Sequence, residues 1–239
     1  MFVRYRTEAI FLKKLKRFEA DEYLIAYSKD FGKLGVTGKS IRKIKSKLRS
    51  SSELFCYSDI EFVRGRYYNI LTDSQLIESF SDTKSELGKI SIAFKMANLL
   101  DSFLPEEEED ENLWLFIKKS FYLLNKLEDY NTKRLKSFYF YFSFKFLEIL
   151  GYRPQVGSCV LDGNDDGETF SPRNGGVICK VCAKNINDPL KVKITKKDKL
   201  FLNKVTSKRF ENFLSNDPDF DNLEELLSNY IALLPSRLS

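Results

Sequence analysis

The chain has no histidine in 239 residues. This removes imidazole general bases, Ser-His and Cys-His nucleophile pairs, and every zinc site that needs a histidine ligand. The commonest hydrolytic designs are therefore excluded, and a protein that is not an enzyme is expected. Long apolar runs are missing too. The nearest, SFYFYFSFKFLEIL (137–150), carries Lys145 and Glu148 and falls short of the ~18 residues a membrane helix needs. The N-terminal MFVRYRTEAIFLKK has charges scattered through it and no small-residue cleavage site, unlike a signal peptide. The chain shows no internal repeat and no long low-complexity linker. Cysteine is sparse, four in all. A C-x2-C pair without an export signal suggests a reducing cytoplasm and metal rather than disulfides.

What is present begins with charge. Net charge is +5, but residues 1–50 hold fourteen Lys/Arg against five Asp/Glu, so the remainder is net acidic. Within the first part, 33–49 (KLGVTGKSIRKIKSKLR) has seven basic residues and no acid. A second basic run, 191–209, has eight basic residues against Asp198 alone. Between them lies the acidic run Glu106-Glu-Glu-Glu-Asp-Glu111, read as a mobile loop. Cations gathered on selected stretches point to a polyanion partner.

Residues 3–78 read as strands: Tyr5–Leu15, EYLIAYS (22–28), KLGVTGKS (33–40), ELFCYSDIEFV (53–63) and YYNILTDSQLI (67–77). Arg64-Gly65-Arg66 is the hairpin connection between the last two. Five short strands in so short a span close into a small barrel, of OB or SH3-like type. From Asp82 the period becomes helical. SELGKISIAFKMANLLDSFL (85–104) places Leu87, Ile90, Phe94, Ala97 and Leu100 on one stripe, ahead of Pro105. NLWLFIKKSFYLLNKL (112–127) follows. Then LKSFYFYFSFKFLEILGY (135–152) is apolar on nearly every side, as a helix buried in a bundle must be. One or two further helices cover about 197–215, and LEELLSNYIALL (223–234) closes the chain. The expected organisation is α+β: a five-stranded barrel over 1–79, then a helical domain over 80–239 interrupted by a cysteine segment at 159–182.

That segment almost spells a zinc module. A four-cysteine site would read C-x2-C, a loop, and C-x2-C again. Here Cys159 is followed at the second position by Asp162, and Cys179 and Cys182 supply the second pair. A carboxylate can ligate zinc beside thiolates at ~2.0–2.2 Å, although a hard oxygen weakens sulfur-based selectivity. Asp165 and Asp166 could compete for the place. Asp162 is either a fourth ligand or a turn residue of an empty knuckle, and either role is structural. Cys56 reads as a core residue.

The order of these features resembles the RecO family of bacterial recombination mediators over essentially the whole length. Ser28-Lys-Asp-Phe-Gly32-Lys33 and Gly38-Lys39-Ser-Ile-Arg42-Lys43-Ile-Lys45-Ser46-Lys47-Leu48-Arg49 match the family's basic barrel segment. Leu150-Gly-Tyr-Arg-Pro154, Cys159, Phe170-Ser-Pro172, Gly175-Gly-Val177, Cys179 and Cys182 follow in the family's order, and Pro235-Ser-Arg-Leu238 resembles its C-terminus. The departure is Asp162, where the cysteine-bearing members have a second cysteine. The resemblance implies an OB-type barrel, a zinc-knuckle-like insert and a place in the bacterial cytoplasm, at the nucleoid. It further implies binding to single- and double-stranded DNA, annealing of complementary strands, and contact with the acidic C-terminal tail of single-strand-binding protein. With RecR, such proteins help load RecA onto coated gaps. Beside the resemblance, the basic character itself points to Lys33, Lys39, Arg42, Lys43, Lys45, Lys47 and Arg49 as a phosphate-binding track. Arg64 and Arg66 extend it. An RNA- or ribosome-associated OB protein would carry the same barrel and charge. A phosphoryl-transfer enzyme would need carboxylates clustered around a divalent metal, and the acids are concentrated instead in 106–111.

Overall fold

The computed structural model describes residues 3–128, 131–207 and 220–234. The Pro235–Leu238 motif, the end of the second basic run and the expected helix beyond residue 207 lie outside them. The chain divides into two compact units, Met1–Tyr130 and Asn131–Ser239.

The first unit opens with β1 (Arg4–Arg17), β2 (Asp21–Ser28), β3 (Gly32–Gly38), β4 (Tyr57–Arg64) and β5 (Asn69–Glu78). They form a closed barrel in the order β1-β2-β3-β5-β4. Every pairing is antiparallel except β3 with β5. This is the OB-type barrel that the resemblance implied. One strand serves both halves: Arg4–Ile10 of β1 pairs with β4, and Ala9–Arg17 pairs with β2. The register shifts between Phe11 and Lys13, and such a bulge bends the strand enough to turn the corner. Ala9, Phe11, Leu24, Leu34, Val36, Ile60, Phe62 and Cys56 fill the interior. Cys56 is a core residue, its sulfur 3.0 Å from the Lys84 ammonium.

The same unit carries α1 (Ser81–Ser85), α2 (Leu87–Phe103) and α3 (Glu111–Asn125). On α2 the buried face is Lys89, Ile92, Ala93, Met96, Ala97, Leu99, Leu100 and Phe103. Leu87 and Phe94, placed on the inner stripe by the apolar pattern, are 85% and 42% exposed. The helix is rotated because the stem of Lys89 is buried while its ammonium reaches the Asn125 carbonyl at 3.0 Å, so a charged residue belongs to the inner face. The acidic run is not a free loop either. Glu106 bridges Lys33 in parallel, Glu107 N–H donates to the Lys33 carbonyl at 2.9 Å, and Asp110 caps α3 by accepting from Leu113 N–H at 2.9 Å. Gly32, at φ +58°, lets this happen: a Cβ there would stand 1.8 Å from the Glu108 carbonyl oxygen.

The second unit comprises α4 (Thr132–Ile149), β6 (Gly167–Ser171), β7 (Gly176–Cys179), α5 (Lys180–Asn185), β8 (Val192–Lys193), α6 (Lys196–Ser207) and α7 (Phe220–Leu233). Its small sheet runs β7-β6-β8. As its composition requires, α4 buries Phe138, Phe140, Phe142, Phe144 and Phe146. Phe140 meets Phe201 of α6 edge-on at 6.2 Å, and Tyr230 of α7 stands edge-on to Phe170 at 5.6 Å. Asp198, the one acid of the second basic run, is buried in a capping box: its carboxylate accepts from Thr195 N–H at 2.8 Å, and its own N–H donates to the Thr195 hydroxyl at 3.2 Å.

A polar cluster ties three elements of the first unit. The Tyr57 hydroxyl of β4 donates to the Glu8 carboxylate of β1, and the Lys118 ammonium of α3 lies 2.6 Å from the hydroxyl and 3.2 Å from Glu8. The hydrogen bond from Tyr57 holds the Glu8 carboxyl below the usual range. A group depressed in the folded state stabilises above its unfolded pKa, and that stability is lost as pH falls through the folded value. Glu8→Gln should therefore lower urea resistance at neutral pH and flatten its decline as pH drops below the ordinary glutamate value of ~4.3. Parallel stability curves for the two proteins would show that Glu8 carries none of this dependence.

Candidate nucleic-acid interface and candidate metal centre

The segment 39–56, between β3 and β4, is a chain of consecutive turns. Lys43 N–H donates to Ser40, Ser46 to Lys43 and Arg49 to Ser46, at 2.9–3.3 Å. Ile41 is buried and Leu48 packs against the barrel core, so these apolar residues staple the segment down. Lys39, Arg42, Lys43, Lys45, Lys47 and Arg49 are left exposed. The segment is also tethered to the β1–β2 turn. Ser40 N–H donates to Asp21 Oδ1 at 2.7 Å, Arg42 N–H to the Ala20 carbonyl at 3.1 Å, and the Arg42 guanidinium to the Glu19 carbonyl at 2.9 Å. Arg42 thus braces the turn as well as displaying charge. Hydrated cations held on a fixed surface suit a phosphate backbone, which gains from releasing its condensed counterions.

Lys33 stands apart from this group. Its ammonium is turned onto Asp101, 2.6 Å from the carbonyl and 3.1 Å from Oδ1, with the side chain 13% exposed. It holds barrel to helix. Arg64 and Arg66 are exposed in the β4–β5 hairpin, and Arg64 pairs with Glu107 at 3.2 Å. The hairpin is longer than the apolar pattern suggests, because β5 begins at Asn69 and Gly65 N–H closes a turn onto the Tyr68 carbonyl at 3.1 Å. Tyr67 and Tyr68 are therefore turn residues. Arg17, at the end of β1, lies over the Tyr68 ring at 4.5 Å. Sequence reasoning passed over Arg17, Phe18, Tyr67 and Tyr68. The available signal was the interleaving of arginine and aromatic residues in Arg64-Gly-Arg-Tyr-Tyr68 and Arg17-Phe18.

The cysteine segment does converge. One ligand atom each from Cys159, Asp162, Cys179 and Cys182 lies within 4.8 Å of all the others, and neither Asp165 nor Asp166 belongs to the group. Local structure explains how. Gly163, at φ +77°, turns the chain so that its N–H donates to the Cys159 carbonyl at 2.9 Å. Asn164 N–H binds Asp162 Oδ1 at 3.1 Å, an Asx turn. That leaves Oδ2 3.2 Å from Cys179 Sγ and 3.3 Å from Cys182 Sγ. Cys179 caps α5, its sulfur accepting from Cys182 N–H at 3.4 Å. A tetrahedral zinc with bonds of ~2.0–2.3 Å separates its donor atoms by roughly 3.3–3.8 Å. The four residues fit a metal ion of that kind. Hydrogen bonds from the thiols, Cys159 first, hold the Asp162 carboxyl well below its usual range, and the bond to Asp162 pushes the Cys182 thiol up to about 12.

Comparison with known proteins gives a consistent result. Residues 1–80 match the family model for the N-terminal part of recombination protein O, and residues 84–234 match that for its C-terminal part. A DNA repair protein RecO of Dehalococcoides mccartyi is 36% identical over 182 residues, covering 74% of this chain and 70% of the relative. The protein of that name from Acetivibrio thermocellus is 27% identical over 223 residues, covering 92% and 86%. That from Thermoanaerobacter is 28% identical over 215 residues, covering 90% and 81%.

The geometry allows Asp162 to serve as a fourth ligand. Protein purified without chelator should hold about one zinc per chain, Asp162→Cys should tighten it with a further thiolate, and Asp162→Ala should loosen it. The alanine variant should also melt earlier, since metal binding contributes to the folding of such loops. Metal well below one equivalent after zinc-supplemented expression, with no change in melting on Asp162→Ala, would leave Asp162 a turn residue.

Proposed function

The chain belongs to the recombination protein O family, a family of DNA repair and recombination proteins, and on that premise we propose that it is a strand-binding mediator without bond chemistry. It binds single- and double-stranded DNA, anneals complementary strands, and with RecR helps load RecA onto single strands coated with single-strand-binding protein. The observation that supports this best is the set of six exposed cations on 39–49, fixed to an OB-type barrel by Ile41 and Leu48. Such a surface screens the repulsion between two phosphate backbones while their bases pair, and needs no nucleophile or general base. Arg66 continues the track, whereas Arg64 is paired with Glu107. Lys33 drops out of the track, because Asp101 occupies its ammonium.

The cysteine cluster has a structural part in this reading. A zinc ion held by Cys159, Asp162, Cys179 and Cys182 would clamp the turn after Cys159 to β7 and α5. The acidic tail of single-strand-binding protein would need an apolar pocket rimmed by Lys or Arg, and residues 80–239 supply both kinds of side chain. In the described residues no helix is long and apolar enough to cross a membrane; a protein acting on DNA in this way would work in the bacterial cytoplasm.

Charge is the part of the proposal most open to test. Arg42 also holds the β1–β2 turn, so the informative variant replaces Lys39, Lys43, Lys45 and Lys47 with alanine. Loss of four phosphate contacts should make the slope of log K against log salt for single-stranded DNA shallower by about 3 units, at ~0.7 per contact. Its far-ultraviolet circular dichroism should match the wild type. An unchanged slope would move the DNA track off this segment.

A further inference from the structure

Arg17, the last residue of β1, and the β4–β5 hairpin meet at one end of the barrel, around a cleft of about 500 Å³. Arg17, Tyr23, Arg64, Arg66, Tyr67, Tyr68, Glu106 and Glu107 are among the residues lining it. The meeting is imposed by the fold. Val36 and Thr37 of β3 pair with Asn69 and Ile70 of β5, which sets the hairpin beside Arg17, and Arg17 in turn donates to Thr37 Oγ1 at 3.1 Å. Two large aromatic side chains are left in solvent here: Phe18 is 78% exposed and Tyr67 is 81% exposed. Each is paired with a guanidinium, Arg17 at 5.7 Å from the Phe18 ring and Arg66 at 5.3 Å from the Tyr67 ring. Phe18 is moreover held at φ +53°, a backbone conformation that a bulky residue adopts at a cost.

We infer that this cleft, together with Phe18 beside Arg17, is a stacking subsite for an unpaired base of single-stranded nucleic acid, with Tyr67 in the cleft and Phe18 next to it as the platforms. Planar apolar faces edged by guanidinium groups match the π-face and polar rim of a base. Two carboxylates among the three arginines of the cleft weaken its pull on a phosphate and leave a neutral base unaffected. Arg64 is paired with Glu107, and Glu106 lines the same cleft. The backbone of a bound strand then lies on the basic segment, which is joined to the Phe18 turn through Arg42 and Ser40. The subsite gives the strand-binding reading its second component, contact with bases, and it rests on that reading.

The test compares two strands of equal length and equal phosphate number, one with bases and one abasic, binding to the full chain. Tyr67→Ala and Phe18→Ala remove exposed side chains, so folding is not at stake. Each should weaken binding of the base-bearing strand by about five- to a hundredfold, the worth of one stacked base. The salt slope should stay as in the wild type, and the deficit should vanish on the abasic strand. Trp114, the chain's single tryptophan, is buried, so Tyr67→Trp adds a reporter at the cleft. It should bind as well as wild type and be quenched by the base-bearing strand alone. Wild-type affinity in both alanine variants, or an equal loss on both strands, would overturn the subsite while leaving the strand-binding proposal standing. If the wild type bound neither strand, the strand-binding reading itself would fail.

Discussion

Barrel closure rests on a short parallel contact, Val36 with Asn69 and Thr37 with Ile70. All other pairs in the barrel are antiparallel neighbours, and without this contact they would form an open sheet with two exposed edges. Asn69 reinforces it by donating to the Gly35 carbonyl at 3.1 Å. At Gly35 a Cβ would sit 1.9 Å from the Tyr23 hydroxyl, so a side chain there would displace the Tyr23 ring. Closure also decides what the surface can do. It brings the Arg64–Tyr68 hairpin against Arg17 at the end of β1, and the β1–β2 turn that follows anchors the basic segment. Three stretches far apart in sequence thereby share one end of the barrel.

The electrostatics of that unit are divided rather than uniformly basic. Lys33 and Lys13 are held by Asp101, Arg64 by Glu107, and Lys14 by Glu22 and Glu53. These cations are structural to the extent that an acid neutralises them. Those on 39–49 face solvent, which is why counting charge along the chain picks out an exposed segment and yet includes Lys33. The acidic run contributes to the division. Pinned by Lys33 and by its own cap on α3, it places Glu106 and Glu107 in the lining of the cleft.

The barrel was legible because its strands alternate and its turns carry glycine, as in Asp30-Phe-Gly32 and Arg64-Gly65. The phenylalanine-rich α4 was legible for the opposite reason, being apolar on nearly every face. The inner face of α2 was not, because a lysine whose stem is buried cannot be told from a surface lysine by pattern. Tyr67 and Tyr68 read as strand residues, since β-propensity does not report where pairing starts. The acidic run reads as a free loop because its anchors, Gly32 and Lys33, lie about seventy residues earlier in the chain. Of the metal group, spacing supplied the cysteines. The i+3 spacing from Cys159 also pointed to Asp162, and the Gly163 turn is what brings that carboxylate, and not Asp165 or Asp166, to the sulfurs. Nor does charge pattern alone announce Phe18 and Tyr67, whose significance depends on the end of β1 and the hairpin meeting in space.

On the proposed reading the protein holds strands and does no bond chemistry on them. The most direct measurement is the rate at which the purified chain pairs complementary oligonucleotides, bare and coated with the cognate single-strand-binding protein. The account predicts acceleration over spontaneous pairing on both substrates, without nucleotide or divalent metal, and loss of that acceleration as salt is raised. Pairing no faster than the protein-free control on either substrate, at a concentration where strands are bound, would contradict it.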